Sequence, residues 1–456
     1  MTLETIAAVA TAPGEGAVAL VRISGPDALA VLESLLPQGT PTPAVRVATR
    51  LSLLDPVSGS PLDTAVVTRF AAPASYTGED VVELSVHGGW ITPPLVLEAC
   101  LRAGCREAEA GEFTRRAYLN GKLDLVQAEA VADVIGARNR ALHAAALSQV
   151  ERGLSRRIGD LRERLVGVEA LLVHHLDFPE EDDPPVPLSR IVAEAAGLES
   201  DMEILLRTAP EGELLRDGAV AVLAGAPNAG KSSLYNALVG EERAIVTEEP
   251  GTTRDALEAR VQLGGFPFRL VDTAGLREAE GKVEEMGIEV SRRYLSGADV
   301  ILFCEDVGEP TPEGARAFLK DLDGTPVVRV STKVDLGADS SPEGDAAGGW
   351  SCAVGVSVVS GEGLDVLRAR MAELVFGGLV GVGGSVPVLT RARHSVGVRS
   401  ALAEVRSFRE ELEGGVPVEI AATRLHSAKT ALEEVLGLVT MDDVLDVVFK
   451  EFCVGK

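Results

Sequence analysis

The chain has 456 residues, of which 46% are hydrophobic and 25% are charged. This composition is typical of folded proteins, and the length suggests about three domains. Lys and Arg number 43 and Asp and Glu number 69, which gives a formal net charge of −26 at pH 7. The acidic balance excludes bulk electrostatic attraction to nucleic acid or to an anionic membrane as the main activity.

The cysteine pattern and the N-terminus predict the compartment. The 5 cysteines include no CxxC pair, which favours a reducing environment without a disulfide framework or a zinc site. The N-terminal sequence MTLETIAAVATAPGEG lacks the features of a signal peptide. Residues 374–390 are interrupted by glycines, which predicts a flexible linker and not a transmembrane helix. We therefore expect a soluble cytoplasmic protein that does not bind a membrane.

The first half of the chain changes character near residue 120. Residues 1–120 contain β-branched runs separated by Gly, Pro and Asp, which predicts an α/β domain. Residues 121–216 have a largely proline-free helical pattern, which predicts that they form the first part of a helical domain. This pattern is interrupted at 179–185 by an acidic, proline-bounded segment that predicts a solvated turn between antiparallel helices.

A third pattern begins at residue 217 and predicts a nucleotide-type domain. Strands alternate with helices over 217–378, and apolar runs at 218–226, 268–275, 300–306 and 326–332 are typical of buried parallel strands. Amphipathic helices resume over 379–456. The predicted fold is therefore multidomain α/β, with an N-terminal α/β domain, a discontinuous all-α domain and an inserted Ras-like P-loop G domain.

A phosphate-binding loop is the clearest local signal. Residues 225–232 read GAPNAGKS, which matches GxxxxGK[ST] between an apolar strand and a helix. Backbone N–H groups of such a loop surround phosphate oxygens, Lys231 would reach the β/γ-phosphates, and Ser232 would bind Mg²⁺. The alternative, a chance glycine-rich turn, fits this context poorly.

Three further elements follow in the order that a GTPase requires. Residues 251–255 (GTTRD) would supply a switch threonine to Mg²⁺ and the γ-phosphate, and 272–275 (DTAG) ends a strand near the metal. Residues 332–335 (TKVD) end a later strand, where Asp335 would accept hydrogen bonds from N1 and N2 of guanine. Adenine lacks these donors, so Asp335 favours GTP over ATP.

Three positions depart from the usual GTPase pattern. Thr332 stands where NKxD motifs have Asn, although its hydroxyl would still tether the P-loop, and 357–359 (SVV) stands where Ser-Ala-Lys is usual. Leu276 replaces the glutamine that orients water in Ras-type enzymes. We expect Glu284 to position the water instead, although a solvent-facing helix glutamate is an equal interpretation. Asn228 and an oxygen-rich loop at 244–253 would hold a monovalent cation against the phosphates.

The assembled motifs resemble the tRNA-modification GTPase MnmE (TrmE) family. The resemblance is carried by GAPNAGKSSLYNAL, AIVTEEPGTTRDAL, VDTAGLRE, LVRISG, SYTGEDVVELSVHGG, GEFTRRAYLNGKLDLVQAEAVADVI and the terminal FCVGK. It spans essentially the whole chain. It implies a homodimer that forms a heterotetramer with a flavin-dependent partner of the MnmG/GidA type. Together they would modify C5 of the wobble uridine of certain tRNAs, with tRNA bound largely through the partner.

The resemblance also implies ligands. The N-terminal domain would bind 5,10-methylenetetrahydrofolate or 5-formyltetrahydrofolate through Arg22, Glu79, Lys122 and Lys456, although each residue alone would suit a surface salt bridge or a cap. Cys453 would take part in the modification chemistry, or it is an inconsequential free thiol. The family pattern assigns Mg²⁺ to Ser232 and Thr253, and K⁺ to Asn228, Thr247, Glu249 and Thr252. The expected GTP-binding residues are Asn228, Ala229, Gly230, Lys231, Ser232, Ser233, Thr247, Glu248, Glu249, Pro250, Gly251, Thr252, Thr253, Asp272, Thr273, Ala274, Gly275, Thr332, Lys333, Val334, Asp335, Ser357, Val358 and Val359, with Lys231 and Glu284 as catalytic residues.

Two other functions remain open from the sequence. A ribosome-assembly or regulatory GTPase would explain 217–378 but not the TGED and CVGK segments. A folate-dependent methyltransferase with a merely regulatory G domain would be favoured by folate binding together with product formation that does not depend on GTP.

Overall fold

The computed structural model describes residues 4–177, 186–226, 228–241, 258–272, 294–307, 324–336, 350–380, 387–439 and 442–456. The strands are β1 (Ile6–Val9), β2 (Val18–Ser24), β3 (Thr49–Leu54), β4 (Pro61–Phe70), β5 (Val81–His87), β6 (Arg106–Glu107), β7 (Ala219–Gly225), β8 (Glu258–Leu263), β9 (Phe266–Asp272), β10 (Val300–Asp306), β11 (Val327–Thr332) and β12 (Cys352–Val356). The helices are α1 (Ala28–Ser34), α2 (Thr92–Arg102), α3 (Glu112–Leu119), α4 (Leu125–Gly136), α5 (Arg140–Val150), α6 (Gly153–Asp177), α7 (Leu188–Leu206), α8 (Ala209–Asp217), α9 (Lys231–Glu241), α10 (Leu364–Val380), α11 (Ala392–Glu413), α12 (Val418–Leu436) and α13 (Asp442–Lys450).

The chain divides into two compact units. The first comprises Met1–Ala132, Val150–Gly159 and Thr430–Lys456, and the second comprises Asp133–Gln149 and Asp160–Lys429. Residues from both ends of the sequence therefore belong to the first unit.

The first unit is built on a six-stranded sheet of order β3-β4-β5-β2-β1-β6. Neighbouring strands are antiparallel except for the parallel pair β1 and β6. In β2, Ala19, Val21 and Ile23 are buried while Leu20 and Arg22 between them are partly exposed, as the two-residue period of a strand requires. These buried side chains share a core with residues of α1 and α2. A separate apolar cluster joins α4 to α13 through Leu125 and Phe449.

The second unit contains a six-stranded sheet of order β12-β11-β10-β7-β9-β8. Its pairs are parallel except for the antiparallel hairpin β8–β9. Strand β10 is buried along nearly its whole length, because apolar clusters cover both faces of the sheet. The four apolar runs predicted as buried parallel strands are confirmed, and their carboxyl ends lie at one edge, where ligands of such sheets bind.

The helical part of the second unit is held by apolar packing and by ion pairs between helices. Helices α7 and α11 pack against each other, and Glu199 of α7 accepts a 2.6 Å hydrogen bond from Arg409 of α11. Glu169 of α6 accepts from the ammonium of Lys429 in α12 at 3.0 Å. No helix within the described ranges combines the length and the apolar character needed to cross a bilayer.

The helical pattern predicted from residue 121 forms separate helices, and Asn139 caps α5 by accepting from the N–H of Leu142 at 2.7 Å. One expectation needs correction. The predicted linker is wrong over Leu374–Val380, which completes α10, although the helix is kinked at Phe376, where φ is −120° and ψ is 23°. There Phe376 is fully buried and stacks on Phe266 with ring centroids 4.6 Å apart, so aromatic packing fixes the chain at the kink, and a helical turn follows it despite the low helix propensity of the glycines. The predicted acidic turn at 179–185 lies outside the described residues.

Candidate functional site

The P-loop joins the end of β7 to the start of α9. Gly225 has a φ of +139°, and a Cβ at this position would lie 2.2 Å from the carbonyl oxygen of Cys304 in the adjacent strand. Gly230 has a φ of +79°. Both the positive φ and the close strand contact exclude a side chain at Gly225, so the motif glycine is required by the backbone.

The two polar side chains that open α9 lie at the carboxyl edge of the sheet. Lys231 is buried, and its ammonium donates to the carbonyls of Gly225 at 3.0 Å and Ala226 at 2.6 Å, across the curl of the loop. The hydroxyl of Ser232 donates to Oδ2 of Asp272 at 2.9 Å. A hydroxyl and a carboxylate within hydrogen-bond distance are oxygen donors of the kind that Mg²⁺ prefers.

Thr332 connects the end of β11 to the P-loop. Its side chain is buried, and its hydroxyl lies 3.0 Å from the carbonyl oxygen of Ala229 and 3.2 Å from that of Glu305. The expectation that a threonine at this position tethers the P-loop is confirmed. The hydroxyl therefore supplies a hydrogen-bonding group at the position where NKxD motifs have asparagine.

The remaining residues of the base-recognition motif extend from the same strand end. Lys333 has a φ of +61°, and its ammonium lies 2.5 Å from Oδ2 of Asp306 and 3.4 Å from the carbonyl oxygen of Asn228. Asp335 is exposed within the 3-10 turn Val334–Leu336, with its carboxylate accessible to a ligand.

The loop after β12 supplies the last expected contact. Ser357 is fully buried, its hydroxyl accepts from the N–H of Ser360 at 3.2 Å, and its carbonyl accepts from the N–H of Gly361 at 2.9 Å. Val359 is exposed and Val358 packs partly against the core. These contacts hold residues 357–361 in a tight loop.

Part of the expected nucleotide site lies outside the described residues. This part comprises Thr247, Glu248, Glu249, Pro250, Gly251, Thr252, Thr253, Thr273, Ala274, Gly275 and Glu284.

A second group of charged residues surrounds Arg22 in the first unit. Its guanidinium donates to Oε1 of Glu83, the residue opposite it on β5, at 2.8 and 3.0 Å. It also lies 5.6 Å from the ring centroids of both Tyr76 and Phe113. Arg22 is thus held by a cross-strand ion pair and two aromatic faces.

Glu79 is held on the same side of this sheet. Its carboxylate accepts from the hydroxyl of Ser24 at 2.7 Å and from Nη1 of Arg116 at 3.1 Å. Arg116 also donates to Glu112 at 2.9 Å, and within the described chain its buried Nε has no hydrogen-bond partner. Although burial opposes ionisation of Glu112, hydrogen bonds from Arg106, from a backbone N–H and from Arg116 outweigh it and lower its pKa.

The last residues of the sequence join this group. The N–H of Phe113 donates to the carbonyl of Lys456 at 3.2 Å, and Arg22 donates to that of Gly455 at 3.4 Å. Burial, and after it the charge of Arg22, lower the pKa of Lys456, although Glu83 opposes this shift. A cation whose charged form is disfavoured in this way would be stabilised by an anionic ligand.

The other two predicted residues of this unit have different surroundings. Cys453 is exposed. Lys122 donates to the carbonyl of Pro73 at 3.0 Å, and its stem lies against Gly78, beside Glu79.

Sequence reasoning missed Glu83, Arg116 and Asp306, which the structure pairs with predicted site residues. Glu83 and Arg116 stand inside the segments that carried the family resemblance, but nothing local shows their partners. Asp306 ends a predicted strand, and a polar residue at the carboxyl end of a parallel strand was the available signal.

Comparisons with known proteins agree with these observations. Residues 5–122 match the family described as GTP-binding protein TrmE N-terminus, and residues 125–453 match the MnmE helical domain. The chain is 41% identical over 462 residues to the tRNA modification GTPase MnmE of Moorella thermoacetica, with 99% of each chain covered. It is 42% identical over 456 residues to that of Neisseria meningitidis, again with 99% of each chain covered.

The chain belongs to the tRNA modification GTPase MnmE family. The predicted family is therefore confirmed, and the protein is a tRNA modification GTPase. The predicted fold class, with its N-terminal, helical and G domains, is confirmed as well.

Two similar solved structures each cover less than half of this chain. The G domain of the FeoB iron transporter of T. maritima is 26% identical, with a TM-score of 0.24 and coverage of 34% of this chain and 98% of that chain. A GDP·AlF4⁻ complex of Aquifex aeolicus Era is 19% identical, with a TM-score of 0.25 and coverage of 41% and 66%. The strand order β12-β11-β10-β7-β9-β8 itself defines the fold of the G domain in this MnmE family member.

Proposed function

We propose that this chain couples GTP hydrolysis to the addition of an aminomethyl or carboxymethylaminomethyl group to C5 of the wobble uridine, position 34, of certain tRNAs. It would act as a homodimer that forms a heterotetramer with a flavin-dependent partner of the MnmG/GidA type. The observation that carries this proposal is that a chain of the MnmE family holds both a P-loop site and the charged group around Arg22 and Lys456.

In the G domain, each residue has a role that follows from its position. Lys231 would bind the β/γ-phosphates, and Ser232 with Thr253 would hold Mg²⁺, a fit supported by the oxygen pair of Ser232 and Asp272. Glu284 would orient the attacking water. A bound Mg²⁺ neutralises charge on the phosphates.

The proposed K⁺ ligands are Asn228, Thr247, Glu249 and Thr252, of which the structure describes Asn228. This residue is exposed in the P-loop with a φ of +65°. Its amide oxygen is a suitable ligand for K⁺, which would supply positive charge beside the phosphates and favour pairing of G domains.

In the first unit, the charges suit a reduced folate. The glutamate carboxylates of a folate would pair with cations such as Lys456 and Lys122, and Glu79 would accept from N–H donors of the pterin. Glu79 retains acceptor capacity, because an ionised carboxylate offers about four lone-pair sites. The exposed thiol of Cys453 would then be near the one-carbon chemistry.

The acidic chain would leave most tRNA contacts to the partner. The net charge of −26 opposes binding of a polyanion, so we expect weak binding of tRNA by the isolated chain at physiological salt. Tight binding under those conditions would contradict this division of roles.

The decisive experiment is mass spectrometry of tRNA nucleosides from host cells that carry or lack this chain. We expect deletion to remove the C5-modified wobble uridines and the wild-type chain to restore them. An unchanged nucleoside profile would refute the proposal and favour a ribosome-assembly or regulatory GTPase.

Two variants test the coupling to GTP. Lys231→Ala should abolish nucleotide binding and modification, whereas Glu284→Ala should bind GTP almost normally but hydrolyse it slowly. Normal modification by Lys231→Ala would favour a folate-dependent transferase whose G domain is only regulatory. Equal loss of GTP affinity in both variants would exclude Glu284 as the water-positioning residue.

A further inference from the structure

An ion pair connects the end of β10 to the base-recognition motif. The carboxylate of Asp306 and the ammonium of Lys333 are 2.5 Å apart, and their side chains are 22% and 41% exposed. Strands β10 and β11 are parallel with Asp306 opposite Thr332, so Asp306 reaches the first residue beyond the partner strand. The pair is therefore placed by the register of the sheet.

The same ammonium reaches the P-loop. Nζ of Lys333 lies 3.4 Å from the carbonyl oxygen of Asn228. Lys333 and Asn228 have φ values of +61° and +65°, a region that residues other than glycine rarely adopt. The surrounding structure must hold both backbones in this conformation, because neither residue has the conformational freedom of glycine.

A lysine alone is poorly suited to this bridging role. Its ammonium is carried on a flexible four-carbon stem, and at this exposure water competes for it. A carboxylate at 2.5 Å restricts the ammonium to positions that also reach the P-loop carbonyl.

We propose that Asp306 is a positioning residue for nucleotide binding. It holds the ammonium of Lys333 against the carbonyl of Asn228, and this contact links the P-loop to the strand end that carries Asp335. Asp306 acts through Lys333 and does not contact the nucleotide. The proposal concerns the GTPase activity and is independent of the tRNA chemistry.

The test measures release of a fluorescent methylanthraniloyl-GDP from the full-length protein. Asp306→Asn should accelerate release and weaken affinity about 3- to 10-fold, the effect of a partly exposed charged hydrogen bond. Asp306→Glu keeps the charge and should remain within about twofold of wild type on the same reasoning. For GTP hydrolysis, Asp306→Asn should raise KM while kcat at saturation stays close to wild type.

A double-mutant cycle with Lys333→Met separates positioning from a general structural role. If Asp306 acts through Lys333, adding Asp306→Asn to Lys333→Met should cause no further loss. The matched control is Glu305→Gln, one residue earlier, whose side chain pairs with Arg329 at 2.7 Å. This control should release nucleotide at the wild-type rate.

Two results would overturn the proposal. One is a wild-type release rate in Asp306→Asn. The other is a loss of equal size when Lys333→Met is already present, since Asp306 would then act on the fold and not on the lysine.

Discussion

Replacement of Thr332 by valine would test whether its hydroxyl tethers the P-loop. The residue is 2% exposed, and the hydroxyl lies 3.0 Å from the carbonyl oxygen of Ala229 and 3.2 Å from that of Glu305. Valine has nearly the same shape but no donor, so Thr332→Val would place a methyl group against two carbonyl oxygens. The loss should therefore affect both the stability of the G domain and the conformation of the P-loop.

The magnitude follows from the contacts. A hydrogen bond contributes about 0.5–1.5 kcal/mol net, and a buried acceptor left without a donor costs about 1–3 kcal/mol. Because the carbonyl of Ala229 belongs to the phosphate-binding loop, we expect GDP affinity to fall about 5- to 30-fold, equivalent to about 1–2 kcal/mol. Equilibrium titration with fluorescent GDP would measure the affinity, and denaturant unfolding of the nucleotide-free protein would measure the stability.

The serine variant is the matched control. Thr332→Ser keeps the hydroxyl and loses one methyl group, which costs about 0.8 kcal/mol of burial but leaves the tether. We expect Thr332→Ser to bind GDP within about threefold of wild type on that basis. The hydroxyl would not be the tether if Thr332→Val bound GDP as tightly as wild type. The same would hold if Thr332→Ser bound GDP more weakly than Thr332→Val.

Two further predictions concern stability. Glu112 lies between Arg106 and Arg116, and its pKa in the folded protein is lowered from the ordinary value of 4.5. Its ionised form therefore stabilises the fold above pH 4.5. This stabilisation is lost as the pH falls through the lower pKa of the folded state. Glu112→Gln should lower the free energy of unfolding by about 1.5–3 kcal/mol at pH 7, measured by denaturant unfolding. The difference in unfolding free energy between this variant and wild type should shrink below about pH 4.5. A difference that stays constant with pH would contradict this electrostatic origin. Gly225→Ala should destabilise by about 2–4 kcal/mol, because strain at a φ of +139° adds to contact with a neighbouring strand carbonyl. The matched control is Gly265→Ala, at a φ of +86° with no atom within 4 Å of the added Cβ, which should lower the unfolding free energy by about 1 kcal/mol. Equal shifts of the melting temperature in Gly225→Ala and Gly265→Ala would refute the steric argument.

The nucleotide site could be predicted from sequence because its signals are local. Eight consecutive residues contain the glycines, the lysine and the hydroxyl of the P-loop, and the preceding apolar strand supplies their context. Because the carboxyl ends of parallel strands lie at one edge, the strand pattern alone assigns Asp272 and Thr332 to the same site. The tether from Thr332 follows from the chemistry of a hydroxyl at that strand end.

The linker expectation failed where a distant contact decides the conformation. Glycines at 377 and 378 favour a break in a helix, and α10 is kinked at Phe376 but resumes as a helix to Val380. Phe376 stacks on Phe266, which lies more than a hundred residues earlier, and this contact between a buried and a partly buried ring holds the kinked segment in place of an extended linker. A local pattern does not show which aromatic partner will be available.

Sequence by itself determined the family, the strand-helix alternation of the G domain and the residue types of the phosphate site, because each depends on short-range order in the chain. Only the tertiary structure decided which charges are paired. Arg22 and Glu83 are separated by 61 residues, Glu79 and Arg116 by 37, and Arg22 and Gly455 by 433. Such pairs form only after the strands have paired in register and the loops between them have closed, which brings residues distant in sequence together. No local periodicity in the sequence shows which distant residues will meet.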